Sequence, residues 1–335
     1  MYPADFQENY LRCRHDRKRL EEIYGVNDRT IRKYAEALRK DLLKQGKRVR
    51  LYYDKDGIPY PECIDEIPEL KPRSIAEVIT DDEGTIRVYG DAVVISDVHI
   101  PFHDMAIIQR VAEYGKKIDT LVINGDTFNF DHLSSFPCKQ PDAGWKVEKK
   151  TAQDLFIVLC EAFDKIIINE GNHDRRIESG TNYNFDIEDI IDIIVPERHR
   201  DKIYLSDKDY CIINDTYRPT HGTEYSRRHG SKAIMYSKLY NLNVIAAHSH
   251  MLGRYTIDEH DIDSKGNKNI NLIAIDGGHC CDEKRFKYKT RKSTGHGVWC
   301  QGFVVIQDNK DRIISPFEPV EKWHKNKSVE FYKPC

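Results

Sequence analysis

A chain of 335 residues, 39% hydrophobic and 32% charged, is long enough for one sizeable α/β core and a smaller appendage. No apolar run approaches the roughly 18–20 residues of a membrane span, and the first ten residues lack a signal-peptide core, so no membrane partner and a cytoplasmic location are expected. The net charge of −3 excludes little by itself, and nine cysteines, odd in number and without a paired framework, are expected as reduced thiols.

The charge is unevenly spread. Residues 1–50 carry 14 Lys and Arg against 8 Asp and Glu. Leu20, Ile23 and Tyr24 form one apolar stripe at helical spacing, and Ile31, Tyr34, Ala35 and Leu38 form a second. Between them lies Gly25-Val26-Asn27, where Gly ends one helix and Asn27 caps the next. Two short helices about such a turn predict a helix-turn-helix over 1–50. Asp28, Arg29, Thr30, Arg32 and Lys33 then stand at the start of a recognition helix, where DNA contacts arise. The plainer alternative is a basic hairpin that only packs or dimerises.

Residues 51–70 are acidic and Pro-containing, with weak periodicity, so 51–88 is expected to be a linker or extended arm, with a short hairpin around Asp82-Glu83-Gly84. From 89 the pattern alternates strand and helix: strand 92–96, helix 105–114, strand 120–123, helix 145–163, strand 165–168. A hairpin is expected over 203–213, then helix 231–240, strand 243–247 and strands at 254–258, 270–276 and 302–307. This order predicts a mainly parallel sheet with right-handed crossovers over 89–314, and 315–335 reads as a surface strand or coil.

Chemistry concentrates where these strands end. The apolar run Val93-Val94-Ile95-Ser96 stops at Asp97, with His99 two residues on. Ligands in open α/β sheets bind beyond the carboxyl ends of strands, and an oxygen with an imidazole suits Mn, Fe, Zn or Ni. Asp126, Asn172-His173-Asp174, His221 and His248-Ser249-His250 follow at four further strand ends or loops. Any one has a structural explanation, as a helix cap or a satisfied core histidine. Five together point to a shared metal site. Cys280-Cys281 with His279, His296 and Cys300 offers zinc-binding residue types in a spacing that fits no standard finger.

Asp-x-His, Gly-Asp, Gly-Asn-His-Asp, Thr-His-Gly and His-x-His, in this order over residues 90–280, resemble the calcineurin-like metallophosphoesterase family. The resemblance implies a four-layer αββα sandwich in the α/β class, with two divalent metal ions at the strand ends, manganese foremost and Fe, Zn, Ni or Mg as alternatives. Asp97, His99 and His250 would bind the first metal, Asn172, His221 and His248 the second, and Asp126 would bridge them. His173 would protonate the leaving oxygen, oriented by Asp174, while a hydroxide between the metals attacks. Two cations so placed clamp the attacking and leaving oxygens of an in-line displacement.

The phosphoprotein phosphatases of this family carry an Arg after the Gly-Asp and another before Gly-Asn-His. Here those stretches read Gly125-Asp126-Thr127-Phe128-Asn129-Phe130 and Glu170-Gly171-Asn172-His173-Asp174, without Arg. His103, Asp104, Asp131, His132 and His279 are further pocket-facing candidates. Lys284-Arg285-Phe286-Lys287-Tyr288-Lys289-Thr290-Arg291-Lys292 alternates cations with aromatics, as a nucleic-acid track would; a Lys-protected edge strand is the alternative. The expectation is a metal-dependent phosphodiesterase or nuclease with a DNA-directed helix-turn-helix, a combination that also resembles phosphoesterases of tailed phages. The alternatives are a phosphomonoesterase or protein phosphatase, a small or cyclic nucleotide diesterase, and a DNA-binding regulator.

Overall fold

The computed structural model describes residues 2–13, 16–44, 47–53, 59–66, 73–134, 143–224, 226, 228–263, 266–285, 299–316, 319–324 and 327–332. The chain divides into two compact units, Met1–Pro72 and Arg73–Cys335.

In the first unit, α1 (Phe6–Cys13), α2 (Arg17–Tyr24) and α3 (Asp28–Lys44) are followed by an antiparallel pair, β1 (Lys47–Tyr53) and β2 (Pro59–Glu66). Gly25 closes α2 in the left-handed conformation (φ 63°), its N–H donating to the Glu21 carbonyl. The Asn27 side chain accepts from the Thr30 N–H at 3.0 Å, as the turn chemistry requires. Phe6, Tyr10, Leu20, Ile31, Ala35 and Leu38 form the core of the unit. Leu20 and Tyr24 of the first expected stripe therefore pack with the second, Ile23 of that stripe is exposed, and Phe6 and Tyr10 from α1 complete the packing.

The strands β1 and β2 correct the expectation of a linker beginning at 51. Lys47-Arg48-Val49-Arg50-Leu51-Tyr52-Tyr53 is β-branched and aromatic enough to pair, and a two-stranded sheet is all edge, where Pro59 and Pro61 are tolerated.

The second unit opens with β3 (Glu77–Thr80) and β4 (Ile86–Tyr89), paired antiparallel around Asp82-Glu83-Gly84, and continues with β5 (Ala92–Ile95), α4 (Met105–Tyr114), β6 (Thr120–Asn124), α5 (Trp145–Ala162) and β7 (Lys165–Asn169). Next come α6 (Arg176–Gly180), α7 (Ile187–Ile194), β8 (Ile203–Ser206), β9 (Ile212–Ile213), β10 (Tyr217–Thr220), α8 (Ser231–Tyr240) and β11 (Asn243–Ala246). The unit ends with β12 (Leu252–Asp263), β13 (Gly266–Gly277), β14 (Phe303–Gln307), β15 (Lys310–Ile314), β16 (Pro319–His324) and β17 (Lys327–Tyr332). A six-stranded sheet has the order β15-β14-β5-β6-β7-β8, and a nine-stranded sheet the order β16-β17-β12-β13-β11-β10-β9-β4-β3.

Side-chain alternation builds four layers from these sheets. Val93, Ile95, Leu121, Ile123, Ile166 and Ile168 turn one face of the six-stranded sheet to Ile108, Val111, Phe156, Leu159 and Ile191 of its helices. Ala92, Val94, Val122, Ile167 and Val304 turn the other face to Val88, Ile213, Ile245 and Ile275 of the second sheet. Ala233 and Tyr236 of α8 cover the far side of that sheet, over Val244, Ala246 and Ala274. The αββα sandwich is thus present.

Two expectations need correcting. Residues 203–213 do not form a hairpin: β8 pairs parallel to β7 in one sheet and β9 joins β4 and β10 in the other. Alternation marks both as strands but cannot say which sheet each joins. Within the tail beyond 315, read as a surface strand or coil, β16 and β17 pair with each other and β17 with β12. Likewise β3 and β4, placed before the main domain by the expected boundary at 89, belong to the nine-stranded sheet. Among the described residues, no helix is long and apolar enough to cross a membrane.

Candidate metal centre

The strands β5, β6 and β7 run parallel, as do β10, β11 and β13. Their carboxyl ends converge at one edge of the sandwich, so every expected ligand arrives there. Beyond β5 and β6 the chain continues the ladder without regular strand geometry. Asp97 N–H donates to the Gly125 carbonyl at 3.2 Å, His99 N–H to Asp126 at 2.9 Å and Ile100 N–H to Thr127 at 2.9 Å. These bonds hold the two ligand-bearing loops in register.

Asp97, His99, Asp126, His248 and His250 all sit at positive φ, between 49° and 66°. Left-handed backbone costs a non-glycine residue about 1 kcal/mol or more. Five such residues in one site persist because the surrounding hydrogen bonds over-determine the backbone. The close approach of these loops also dictates two glycines. A Cβ on Gly171 would lie 2.1 Å from the Asp126 nitrogen, and one on Gly125 would lie 2.4 Å from the His221 ring.

Asp126 lies between two groups of donors. Its Oδ2 is 3.7 Å from His99 Nε2, and its Oδ1 is 3.3 Å from His221 Nε2. On the first side Asp97 Oδ1 stands 3.1 Å from His250 Nε2, which is 3.2 Å from His99 Nε2. On the second side Asn172 Oδ1 is 3.2 Å from His221 Nε2, with the His248 ring 5.4 Å from that of His221. Asp97, His99 and His250 form one grouping able to hold a metal, and Asp126, His221 and His248 another. A carboxylate can serve both because it has two oxygens.

The residues fit divalent cations on their own chemistry. Asp97 Oδ1 is buried and accepts no hydrogen bond, although an imidazole nitrogen faces it. A buried carboxylate oxygen left in that state is costly unless a cation completes it. Burial would raise Asp97, but His250 and His221 outweigh it and hold the carboxyl down at about 2. Burial would lower His221, but Asp126 outweighs it and raises the imidazole to about 10. The site therefore keeps its carboxylates ionised and calls for positive charge. The His221 Nδ1 lies 3.1 Å from the Asn124 carbonyl, which directs its Nε2 inward, as outer-shell carbonyls do for ligating histidines.

His173 is placed by backbone. Its N–H donates to Asp126 Oδ1 at 2.8 Å, and its Nδ1 lies 3.0 Å from the Asn129 carbonyl. Asp174, expected to orient it, is used otherwise. Its buried carboxylate accepts from the N–H groups of Thr127, Phe128 and Gly171 at 2.9–3.2 Å. Burial first, and the Asp126 charge second, push it up to about 7. It thus ties the Gly-Asp loop to the Asn-His loop, and the Asn129 carbonyl orients the ring.

The other candidates take varied places. Asp104 caps α4 through the Ala106 N–H at 2.8 Å, and buried His103 lies against Met105 Sδ at 3.2 Å. Asp131 pairs with Arg176. His279 is buried beside His250, with its Nδ1 3.1 Å from Cys281 Sγ and its Nε2 3.1 Å from Glu283. His250, His279 and Cys281 form a further grouping of metal-ligand types. Cys280 and Cys300 instead direct their thiols at the Gly302 and Gln301 carbonyls; His296 lies outside the described residues. So does the basic-aromatic stretch from Phe286 onward. Cys13, Cys160, Cys211, Cys280, Cys281 and Cys300 are buried free thiols.

Three residues near the site carry no motif signal. Trp299 packs on His250 with ring centres 4.0 Å apart. Arg176, three residues after His173, brings Nη2 within 3.0 Å of His173 Nε2. Glu148 of α5 accepts from the N–H groups of Asn129 and Phe130, both at 2.9 Å, and braces the loop that carries the orienting carbonyl.

Burial, partly offset by those two N–H groups, raises Glu148 from 4.5 to about 7. An acid raised in the folded state contributes stability that is complete below its unfolded pKa and is lost as pH rises towards the folded one. Ionising Glu148 should therefore cost on the order of 3 kcal/mol by pH 8. Glu148→Gln keeps the acceptor and removes the charge. Its melting temperature should exceed that of the parent at pH 8 and match it near pH 4.5. A difference independent of pH would contradict the buried-charge account.

The calcineurin-like phosphoesterase family model matches residues 92–252, the span from the first residue of β5 to the first of β12. No curated protein gives a significant match. Among solved structures, one likeness is a conserved Streptococcus pneumoniae protein described as a predicted phosphoesterase: 13% identity, 68% of this chain and 97% of that one covered, TM-score 0.25. A protein of Thermus thermophilus aligns at 8% identity over 68% of this chain and 98% of its own, TM-score 0.32.

Proposed function

Over residues 92–252 the chain is a calcineurin-like phosphoesterase, a metal-dependent hydrolase of phosphoester bonds, and on that premise we propose that it is a phosphodiesterase acting on nucleic acid in the cytoplasm. Asp97, His99 and His250 would hold one divalent cation, Asn172, His221 and His248 a second, and Asp126 would serve both, with manganese as the proposed metal. Bound there, two such cations supply Lewis acidity, neutralising phosphate charge and lowering the pKa of coordinated water. Asn172 contributes a neutral oxygen, which limits the negative charge an anionic phosphate meets. His173, its Nδ1 fixed on the Asn129 carbonyl, turns Nε2 toward the site, where that nitrogen, once protonated, would serve the leaving oxygen.

The observation that carries the choice of substrate is the first unit. Arg29, Arg32 and Lys33 are exposed on the first turns of α3, directly after the Gly25 turn. Asp28 pairs with Arg17 and Arg32 on that same surface, and such exposed pairs are weak enough to yield to phosphates. Three helices of this kind fit a helix-turn-helix that delivers the hydrolytic unit to DNA.

The test is turnover with Mn of a bis-aryl against a mono-aryl phosphate, then of duplex DNA and RNA. The diester should be preferred, and DNA should be cut. Replacing Arg29, Arg32 and Lys33 together by Ala should weaken duplex binding and flatten its log–log salt slope by roughly 0.9 for each phosphate no longer neutralised. Preference for the mono-aryl ester, with no nucleic-acid cleavage, would favour a phosphomonoesterase; unchanged salt slope would reduce the hairpin to a packing element.

A further inference from the structure

We propose that Arg176 is a substrate-binding residue that grips a non-bridging oxygen of the scissile phosphoryl group. This deepens the phosphoesterase reading and rests on it. The phosphoprotein-phosphatase arginines are absent from this chain at their usual loop positions. Arg176, the first residue of α6, instead comes to the site beside His173.

Its surroundings define its state. Arg176 Nη1 donates to the Asn129 carbonyl at 2.8 Å and to Asp131 Oδ1 at 3.2 Å. Its Nη2 lies 3.0 Å from His173 Nε2. A guanidinium only donates and a carbonyl only accepts. His173 Nε2 is therefore the acceptor of the Arg176 bond, and His173 Nδ1–H the donor to Asn129. The free protein thus holds His173 with its inward nitrogen engaged by Arg176. That nitrogen is 3.9 Å from Asp126 Oδ2, the carboxylate between the two ligand groups, so a phosphoryl group seated there lies within reach of the guanidinium.

Nη1 is anchored twice and Nη2 once, on a neighbour that must be free to exchange a proton with the leaving oxygen. When substrate enters, the Nη2–H donor passes from His173 to a phosphoryl oxygen. One movement then supplies a charge-assisted hydrogen bond to the anion and frees the His173 Nε2 lone pair to take up from solvent the proton it later gives the leaving oxygen. Asp131 holds the guanidinium in place through the exchange. Its side chain and that of Arg176 are largely buried, at 15% and 17% exposure, so the pair is a fixed part of the wall rather than a surface ion pair.

The measurements are inorganic phosphate affinity of the metal-loaded full chain by calorimetry, kinetics on the bis-aryl phosphate, and metal content. Arg176→Ala should weaken phosphate binding and raise KM by about 10- to 100-fold, with a smaller change in kcat and two metals retained. Arg176→Lys, which keeps the charge and one donor, should recover part of the affinity and guards against a folding defect in the Ala variant. A fall in kcat with phosphate affinity and KM unchanged would overturn the proposal and leave Arg176 as a positioning residue for His173. Should the parent protein cleave no diester, the diesterase reading fails by itself, while the phosphate titration still decides the role of Arg176.

Discussion

Replacing Asp126 by Asn should abolish turnover and strip metal from both halves of the site at once. Each Asp126 oxygen faces a different ligand group, Oδ2 towards His99 and Oδ1 towards His221. An amide offers one weakly donating oxygen and an NH2 that repels a cation. The same change weakens the acceptor that holds the His173 N–H. The loss in affinity should exceed the roughly 10- to 100-fold typical when only an outer hydrogen bond to a ligand is removed. Metal content after gel filtration and turnover of an aryl phosphate are the readouts. Two bound metals with near-parental turnover would show that Asp126 does not bridge.

His173→Asn should separate catalysis from metal binding. The ring approaches Asp126 Oδ2 only to 3.9 Å, and both its nitrogens already have partners in Asn129 and Arg176. Its removal should leave both cations in place. Turnover of esters with poor leaving groups should fall by about 10²- to 10⁴-fold, the usual contribution of a positioned acid. A nitrophenyl ester needs little protonation of its leaving oxygen and should lose much less. Equal losses on both kinds of substrate, or loss of metal, would remove His173 from that role.

The fold was legible where local pattern is strong. The apolar runs at 92–95, 121–123 and 166–168 lie in strands buried on both faces, as interior strands of a covered sheet are. The helix 105–114 and the Gly25–Asn27 turn follow from spacing and cap residues. Weak signals failed elsewhere. The amphipathic helix α7, closed by an Asp186–Asp189 capping box, lies outside the predicted elements, and 203–213 reads as one hairpin because periodicity carries no information about which sheet a strand enters.

The ligand types and their order along the chain were set by the sequence, because carboxylates and imidazoles after strands can be read residue by residue. The tertiary structure alone decided what surrounds them. Asp174 serves three backbone N–H groups rather than the His173 ring, and the Asn129 carbonyl does the orienting. A main-chain carbonyl has no side-chain identity and leaves no trace in a motif. Glu148 reaches Asn129 only because α5 packs back across its sheet, and Arg176 reaches Asn129 and Asp131 only because α6 turns back over the Gly-Asp loop. Those hydrogen bonds join residues 19 to 47 positions apart, and their distances follow from how layers pack, which no short window of sequence encodes.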